Sequence, residues 1–307
     1  MTENRGMLLI LATAIISGVA IFVNKKFGVN GIDPYIFTSL KSVIVALMIT
    51  ASLVMARDKN LLKQPSSKQW IQLVLGVGLI GGAIPFLLFF KGLSLTSAAH
   101  AAFIHKIAMA IFIFILAVPF LKEKISQRLW IGIIILTFSN IFLLILSNPK
   151  INLSGFFFIL AATVFWAGEN VLSKHLLKSL PSRVIIWARM TFGSIFIVFF
   201  LLATGQVHLV ASLNLPQIGW TFVSAMILCA YVTTWYTGLK YVKISVAATI
   251  LMIGSAITSI LVILSSGQEI TVVQSVATLI NILIIGFVAF ALLKAIAGLS
   301  SKQAVTS

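Results

Sequence analysis

The stretch GLSLTSAAHAAFIHKIAMAI at Gly92–Ile111 returns in altered form as GLKYVKISVAATILMIGSAI at Gly238–Ile257. Eight of the twenty positions are identical. Gly92, Leu93, Ala101, Ala102, Ile104, Ile107, Ala110 and Ile111 fall on Gly238, Leu239, Ala247, Ala248, Ile250, Ile253, Ala256 and Ile257, and the same register sets Glu123 over Glu269. Nearer the start of each half, Gly6, Ile10, Leu11, Ala12 and Lys25 fall on Gly155, Ile159, Leu160, Ala161 and Lys174. Start, middle and end recur in one order, so the chain reads as two repeats, 1–148 and 149–307.

Each repeat is too apolar for a soluble domain. Of 307 residues 60% are apolar and 9% charged, against about 45–50% and about 25% in soluble domains. The excess is gathered into runs near the ~20 residues that cross a ~30 Å hydrocarbon core. The first repeat holds Met7–Val23, Tyr35–Met55, Trp70–Phe90, Ser97–Leu121 and Trp130–Ser147; the second holds Gly155–Leu177, Val184–Ala203, Gly219–Leu239, Ile244–Leu264 and Val272–Leu292. The expected architecture is therefore an all-α integral membrane protein of ten transmembrane helices. Five spans per repeat is an odd number, so the second repeat enters the membrane from the opposite side, and the repeats are inverted. That arrangement suits a carrier, whose two halves exchange conformations around a midplane site.

The net charge of +16 invites comparison with nucleic-acid binders, but its placement argues otherwise. With the N-terminus inside, fifteen of the 22 basic residues fall on cytoplasmic segments, and only Lys25, Lys26, Lys91 and Lys150 fall on outer loops. This asymmetry fixes both termini as cytoplasmic and gives no reason to expect a nucleic-acid partner. The first apolar run is preceded by Glu3 and echoed later, so it reads as helix 1 and not as a signal peptide. The single cysteine, Cys229, lies within a span and supports neither a disulfide framework nor a thiolate metal site. No metal and no cofactor is expected. Without a transit peptide the expected location is a bacterial inner membrane.

Two further segments carry a resemblance. Gly92, Leu93, Ser97, Ala98 and Ala101 lead into helix 4, which closes on Leu121, Lys122, Glu123, Lys124, Ile125 and Ser126. Gly238, Leu239, Lys240, Tyr241, Val242 and Ala247 lead into helix 9, closed by Gly267, Gln268, Glu269, Ile270 and Thr271. In duplicate, these small-residue starts and Gly-Glu-hydrophobic-Thr/Ser ends resemble the EamA-type ten-helix members of the drug/metabolite transporter superfamily. The resemblance implies a secondary transporter, often an exporter of amino acids or related metabolites. It also implies that helices 5 and 10 are peripheral and that the others line a central cavity. This chain departs from the pattern with Lys122 where the family usually has Gly, and with His100, His105 and Lys106 in helix 4.

Polar residues inside spans mark the candidate site, because a charge at a helix centre costs about 2.5–3.5 kcal/mol on insertion scales. Glu169 is the only acid inside a span and shares a helical face with Thr163, Trp166, Asn170 and Ser173. A lone acid there can carry a proton, whereas a neighbouring base would make it half of a static ion pair. Lys106 is placed to meet either Glu169 or an anionic substrate. Lys41 and Arg189 occupy equivalent places in the second helix of each repeat, where they either snorkel to headgroups or act as gates that attract an anion. His105 is the histidine of helix 4 that competes for a functional role. Tyr231 and Trp235 in helix 8, with Trp166 in helix 6, can wall a pocket for an apolar side chain. Pro85, preceded by Gly81 and Gly82, is expected to break the hydrogen-bond ladder of helix 3. Asn140 and Asn281 are open to interhelical or homodimer contacts.

These readings converge on a carrier of a small metabolite, an amino acid or related carboxylate, with export favoured and a proton gradient as the driving force. A nucleotide-binding loop of the Gly-x-x-x-x-Gly-Lys-Ser/Thr kind is absent from the sequence. The alternatives are a non-transporting sensor or assembly subunit and an intramembrane lipid-modifying enzyme. The enzyme suffers from the lack of paired acids inside the spans. Expected partners are the small-molecule substrate and membrane lipid.

Overall fold

The computed structural model describes residues 2–56, 62, 64–125, 127–146, 152–265 and 283. The tenth expected span, Val272–Leu292, and Glu269 lie outside the described residues, apart from Leu283. Among the described residues, eight helices are long and apolar enough to cross a membrane: α1 (Glu3–Val29), α2 (Pro34–Met55), α3 (Ser67–Leu95), α4 (Ala98–Leu121), α6 (Leu153–Leu176), α7 (Ser182–Ala203), α8 (Leu215–Leu239) and α9 (Ile244–Ser265). Between them runs α5 (Gln127–Leu146), with a shorter apolar stretch at Leu129–Phe138. No strand occurs among the described residues.

Local chemistry sets the helix starts. Asp33 accepts from Tyr35 N and Ile36 N at the head of α2, with Pro34 at its first position. Asn214 and Gln217 form a reciprocal capping box on α8. Two helices run further than their apolar runs suggest. α1 continues past Val23 through the wider π-turns of Asn24–Val29, so Lys25 sits on a helix and not in an outer loop. α3 contains a π-helical stretch, Gln72–Ala83, before resuming α geometry at Ile84.

The helices pack in a pattern that repeats. α1 lies against α8 and α9 of the other repeat, while α6 lies against α3 and α4; α2 packs on α7 and α8, and α7 on α3. Residues matched in the sequence occupy matched positions in this pattern. Gly6 of α1 crosses Gly238 of α8, and Gly155 of α6 crosses Gly92 of α3. A methyl group on Gly238 would come 2.8 Å from the Gly6 carbonyl oxygen, and one on Gly92 would come 3.0 Å from that of Gly155. Only bare backbone permits such crossings, the usual role of small residues between membrane helices.

The repeated lysines also do the same job twice. Lys25 Nζ donates to the Leu93 and Ser94 carbonyls, at 2.9 and 3.1 Å, at the end of α3. Lys174 Nζ donates to the Leu239 and Val242 carbonyls, at 2.6 and 2.7 Å, at the end of α8. Each ammonium satisfies orphan carbonyls and opposes the negative end of a helix dipole. Glu123 complements them at a helix start, accepting from Ile244 N, Ser245 N and Ser245 Oγ at the head of α9.

The lipid-facing surface is apolar, with Phe138, Phe199 and Leu47 among its exposed side chains. α5 touches α4 and α9 from outside and presents Trp130, Ile131 and Ile134 outward.

Candidate substrate cavity

Side chains of α1, α2, α3, α4, α6, α7 and α8 line a central cavity that is partly open. Its composition is that of small-molecule sites, an apolar wall with a few polar groups. Phe86, Phe89 and Phe90 of α3 face Trp166 of α6, whose ring lies 5.4 Å from Phe86 and 5.2 Å from Phe89. Of the residues singled out in the sequence, Lys41, His105, Lys106, Trp166, Asn170, Arg189 and Tyr231 border this cavity. Glu169 and Trp235 stand behind it and hold cavity residues in place.

Lys41 is 1% exposed. Its Nζ lies 3.5 Å from the centre of the Phe90 ring and 4.9 Å from that of Phe37. Ring faces attract a cation by about 0.5–2 kcal/mol each, so the aromatic cage holds the ammonium inside the bundle, where snorkelling would have carried it to the headgroups. Lys106, also 1% exposed, donates to Ser17 Oγ of α1. No described carboxylate pairs with either lysine.

Arg189 is different. Its Nη1 donates to Glu169 Oε2 at 2.7 Å and also contacts the Tyr236 hydroxyl. Tyr236 Oη donates to Glu169 Oε1 at 2.7 Å, and Ser173 Oγ reaches the same oxygen. Arg189 Nε has no hydrogen-bond partner. Glu169 thus meets Arg189, leaving Lys106 with a hydroxyl instead of an acid. Gly81 makes room for the Glu169 side chain, since a Cβ there would lie 2.1 Å from Glu169 Cγ.

Pro85 has the consequence its chemistry requires. It has no N–H to offer the Gly81 carbonyl one turn back, and the Trp166 indole Nε1 donates to that carbonyl at 2.9 Å. The broken ladder therefore fixes an aromatic wall of the cavity. Asn170 is oriented in turn by Trp235, whose Nε1 donates to Asn170 Oδ1 at 2.7 Å while its ring stacks on Tyr231. His105 Nδ1 lies 3.0 Å from Thr163 Oγ1, which itself donates to the Ile159 carbonyl. The hydroxyl proton is spent there, so Nδ1 carries the shared hydrogen and Nε2 is left as an acceptor.

A model of the EamA-like transporter family matches the chain twice, over residues 4–145 and 153–300. The chain belongs to that family. An EamA-like protein with eight apolar spans among its described residues is a multi-pass integral membrane protein, a transporter of the drug/metabolite type. No curated protein matches it. Among the solved structures similar in fold is a crystal structure at 16% identity and a TM-score of 0.70, over 95% of this chain and 99% of that one.

Against the EamA pattern, Lys122 stands in a left-handed conformation at φ 55°, the one described non-glycine residue with positive φ, which accounts for glycine being usual there. Sequence reasoning did not assign Tyr236 to the Glu169–Arg189 pair, nor Ser17 and the phenylalanine cage to the cavity lysines. A signal for the cage was present, because Phe37 precedes Lys41 by one turn and Phe86 precedes Phe90 by one turn. Tyr236 gave none, since its partners Glu169 and Arg189 are on other helices.

Proposed function

We propose that this EamA-like protein is a secondary transporter that moves a small carboxylate-bearing metabolite, the class that includes amino acids, by alternating access around the central cavity. The observation that carries this reading is the pair of buried lysines, Lys41 and Lys106, bordering an aromatic-walled cavity with no acid among the described residues to neutralise either. Desolvated cations in such a place are functional features by default, because lipid-protein stability alone disfavours them. The repeated packing of α1 on α8 and of α6 on α3 supports a duplicated architecture, and the proposal takes it as two inverted five-helix repeats, 1–148 and 149–307, with ten spans and cytoplasmic termini. Export across a bacterial inner membrane, with a proton gradient as driving force, completes the proposal. Glu169 is its candidate proton carrier, released when the Arg189 contact opens, while Lys41 and Arg189 draw anions toward the cavity and His105, Trp166, Asn170, Tyr231 and Trp235 shape it.

The test is flux of a panel of amino acids and organic acids in proteoliposomes under an imposed pH gradient, with native protein beside Glu169→Gln. Gradient-driven flux lost in the variant, with substrate exchange retained, supports coupling through Glu169. Equal flux in both proteins would make the Glu169–Arg189 pair purely structural, and an absence of flux across the panel would count against the carrier.

A further inference from the structure

The charge inventory of the cavity narrows the substrate. Three cationic groups border it, Lys41, Lys106 and Arg189, and one acid, Glu169, is held against Arg189 from behind. Among the described residues the two lysines have no counterion. Arg189 has in addition an Nε–H that no atom of the described residues accepts.

The acceptors tell the complementary story. A zwitterionic amino acid brings an ammonium group, and in a dry site that group needs a carboxylate or several free oxygens. Glu169 Oε1 and Oε2 are taken by Ser173, Tyr236 and Arg189. Asn170 Oδ1 is taken by Trp235, and Asn24 Oδ1 by Ser224. What remains around the cavity is rich in donors and in rings, with His105 Nε2 and the Tyr231 hydroxyl as isolated neutral acceptors that do not replace a carboxylate. An added ammonium would be a further uncompensated cation beside two others, whereas two negative charges would bring the site to neutrality.

Resting on the carrier reading above, we propose that the cavity takes a compact dianion with an apolar or aromatic body, a dicarboxylate or a phosphate monoester, and rejects zwitterionic amino acids. Lys41 and Lys106 hold the negative charges, and Phe86, Phe89 and Trp166 hold the body.

The experiment uses the full chain, purified and reconstituted. Four probes are compared for uptake into proteoliposomes and for thermal stabilisation in detergent: succinate, phenyl phosphate, butyrate and phenylalanine. The expected result is at least a tenfold preference for one or both dianions over butyrate and phenylalanine, which falls to below threefold in Lys41→Gln and in Lys106→Gln. Which of succinate and phenyl phosphate is taken separates the carboxylate from the phosphate source. Uptake of phenylalanine or butyrate equal to that of the dianions overturns the charge assignment and leaves the carrier standing. Stabilisation by a dianion without uptake does the reverse, keeping the assignment and removing the carrier. Neither binding nor uptake of any probe removes both. The comparison among probes on native protein decides the matter even if a lysine variant fails to fold.

Discussion

Three residues in this chain carry more stress than their neighbours. The Glu169–Arg189 pair is buried, and removing one member of such a pair leaves the other unpaired at a cost of about 3–5 kcal/mol. Glu169→Gln is therefore expected to lower the melting temperature in detergent, and adding Arg189→Met to it should recover part of the loss; a double variant no better than the single would show the two side chains to be energetically independent. Lys122 is the third. Its left-handed backbone costs a residue with a Cβ about 1–2 kcal/mol, so Lys122→Gly is expected to raise the melting point by about 2 °C, while Lys122→Ala leaves it unchanged. Much of this was legible beforehand. Glu169 stood out as the lone acid of the spans, and Lys122 as a lysine in a glycine position. The Arg189 partnership was not legible, because nothing in local spacing tells which of three basic residues on three helices an acid will meet.

Among the helices, the crossings and the clasps are the features to test. Gly6 and Gly238 meet backbone to backbone, so Gly238→Leu must push α1 from α8 and is expected to abolish a folded, monodisperse protein, whereas Gly219→Leu on the same helix, with open space around it, should be tolerated. Size-exclusion profiles of the two variants settle the point. Substituting Lys174 by Met removes the donor to the Leu239 and Val242 carbonyls, and the expected outcome is faster hydrogen exchange at the α8–α9 junction with α6 unaffected. The helix number and order through α9 were readable from apolar run length, since a run of ~20 residues leaves few other solutions. The π-turns of α1 and α3 were not readable, because widening a turn leaves composition and run length untouched. Pro85 hinted at the break in α3, yet the identity of the group that takes the Gly81 carbonyl, Trp166, depends on a helix in the other repeat.

Taken as a whole, the molecule is two copies of one packing scheme around a charged, ring-lined hollow. The duplicated residues that announced the repeat in the sequence are the ones that meet in space, Gly6 with Gly238 and Gly92 with Gly155, so the repeat was legible because it is written at its contact points. The cavity contents were legible only as a set of residue types, since their mutual arrangement needs seven helices to assemble. At this scale the proposed topology makes its own prediction. Epitope tags on the two termini of the full chain should both be protected from protease in intact cells and both be cleaved in inverted membrane vesicles; a single protected terminus would require an odd number of spans.

The lysine clasps and the glycine crossings divide the labour between holding and sliding. Lys25 ties α1 to α3 and Lys174 ties α6 to α8, each within its own repeat, while the glycine contacts lie between repeats. Joints of the first kind resist any relative shift, because charged hydrogen bonds must break. Joints of the second kind resist little, because no side chain has to be unthreaded. Glu123 on Ile244 and Ser245, and Trp166 on the Gly81 carbonyl, also tie one half to the other, so a rocking motion of the halves would pivot at those ties and slide at the glycine crossings.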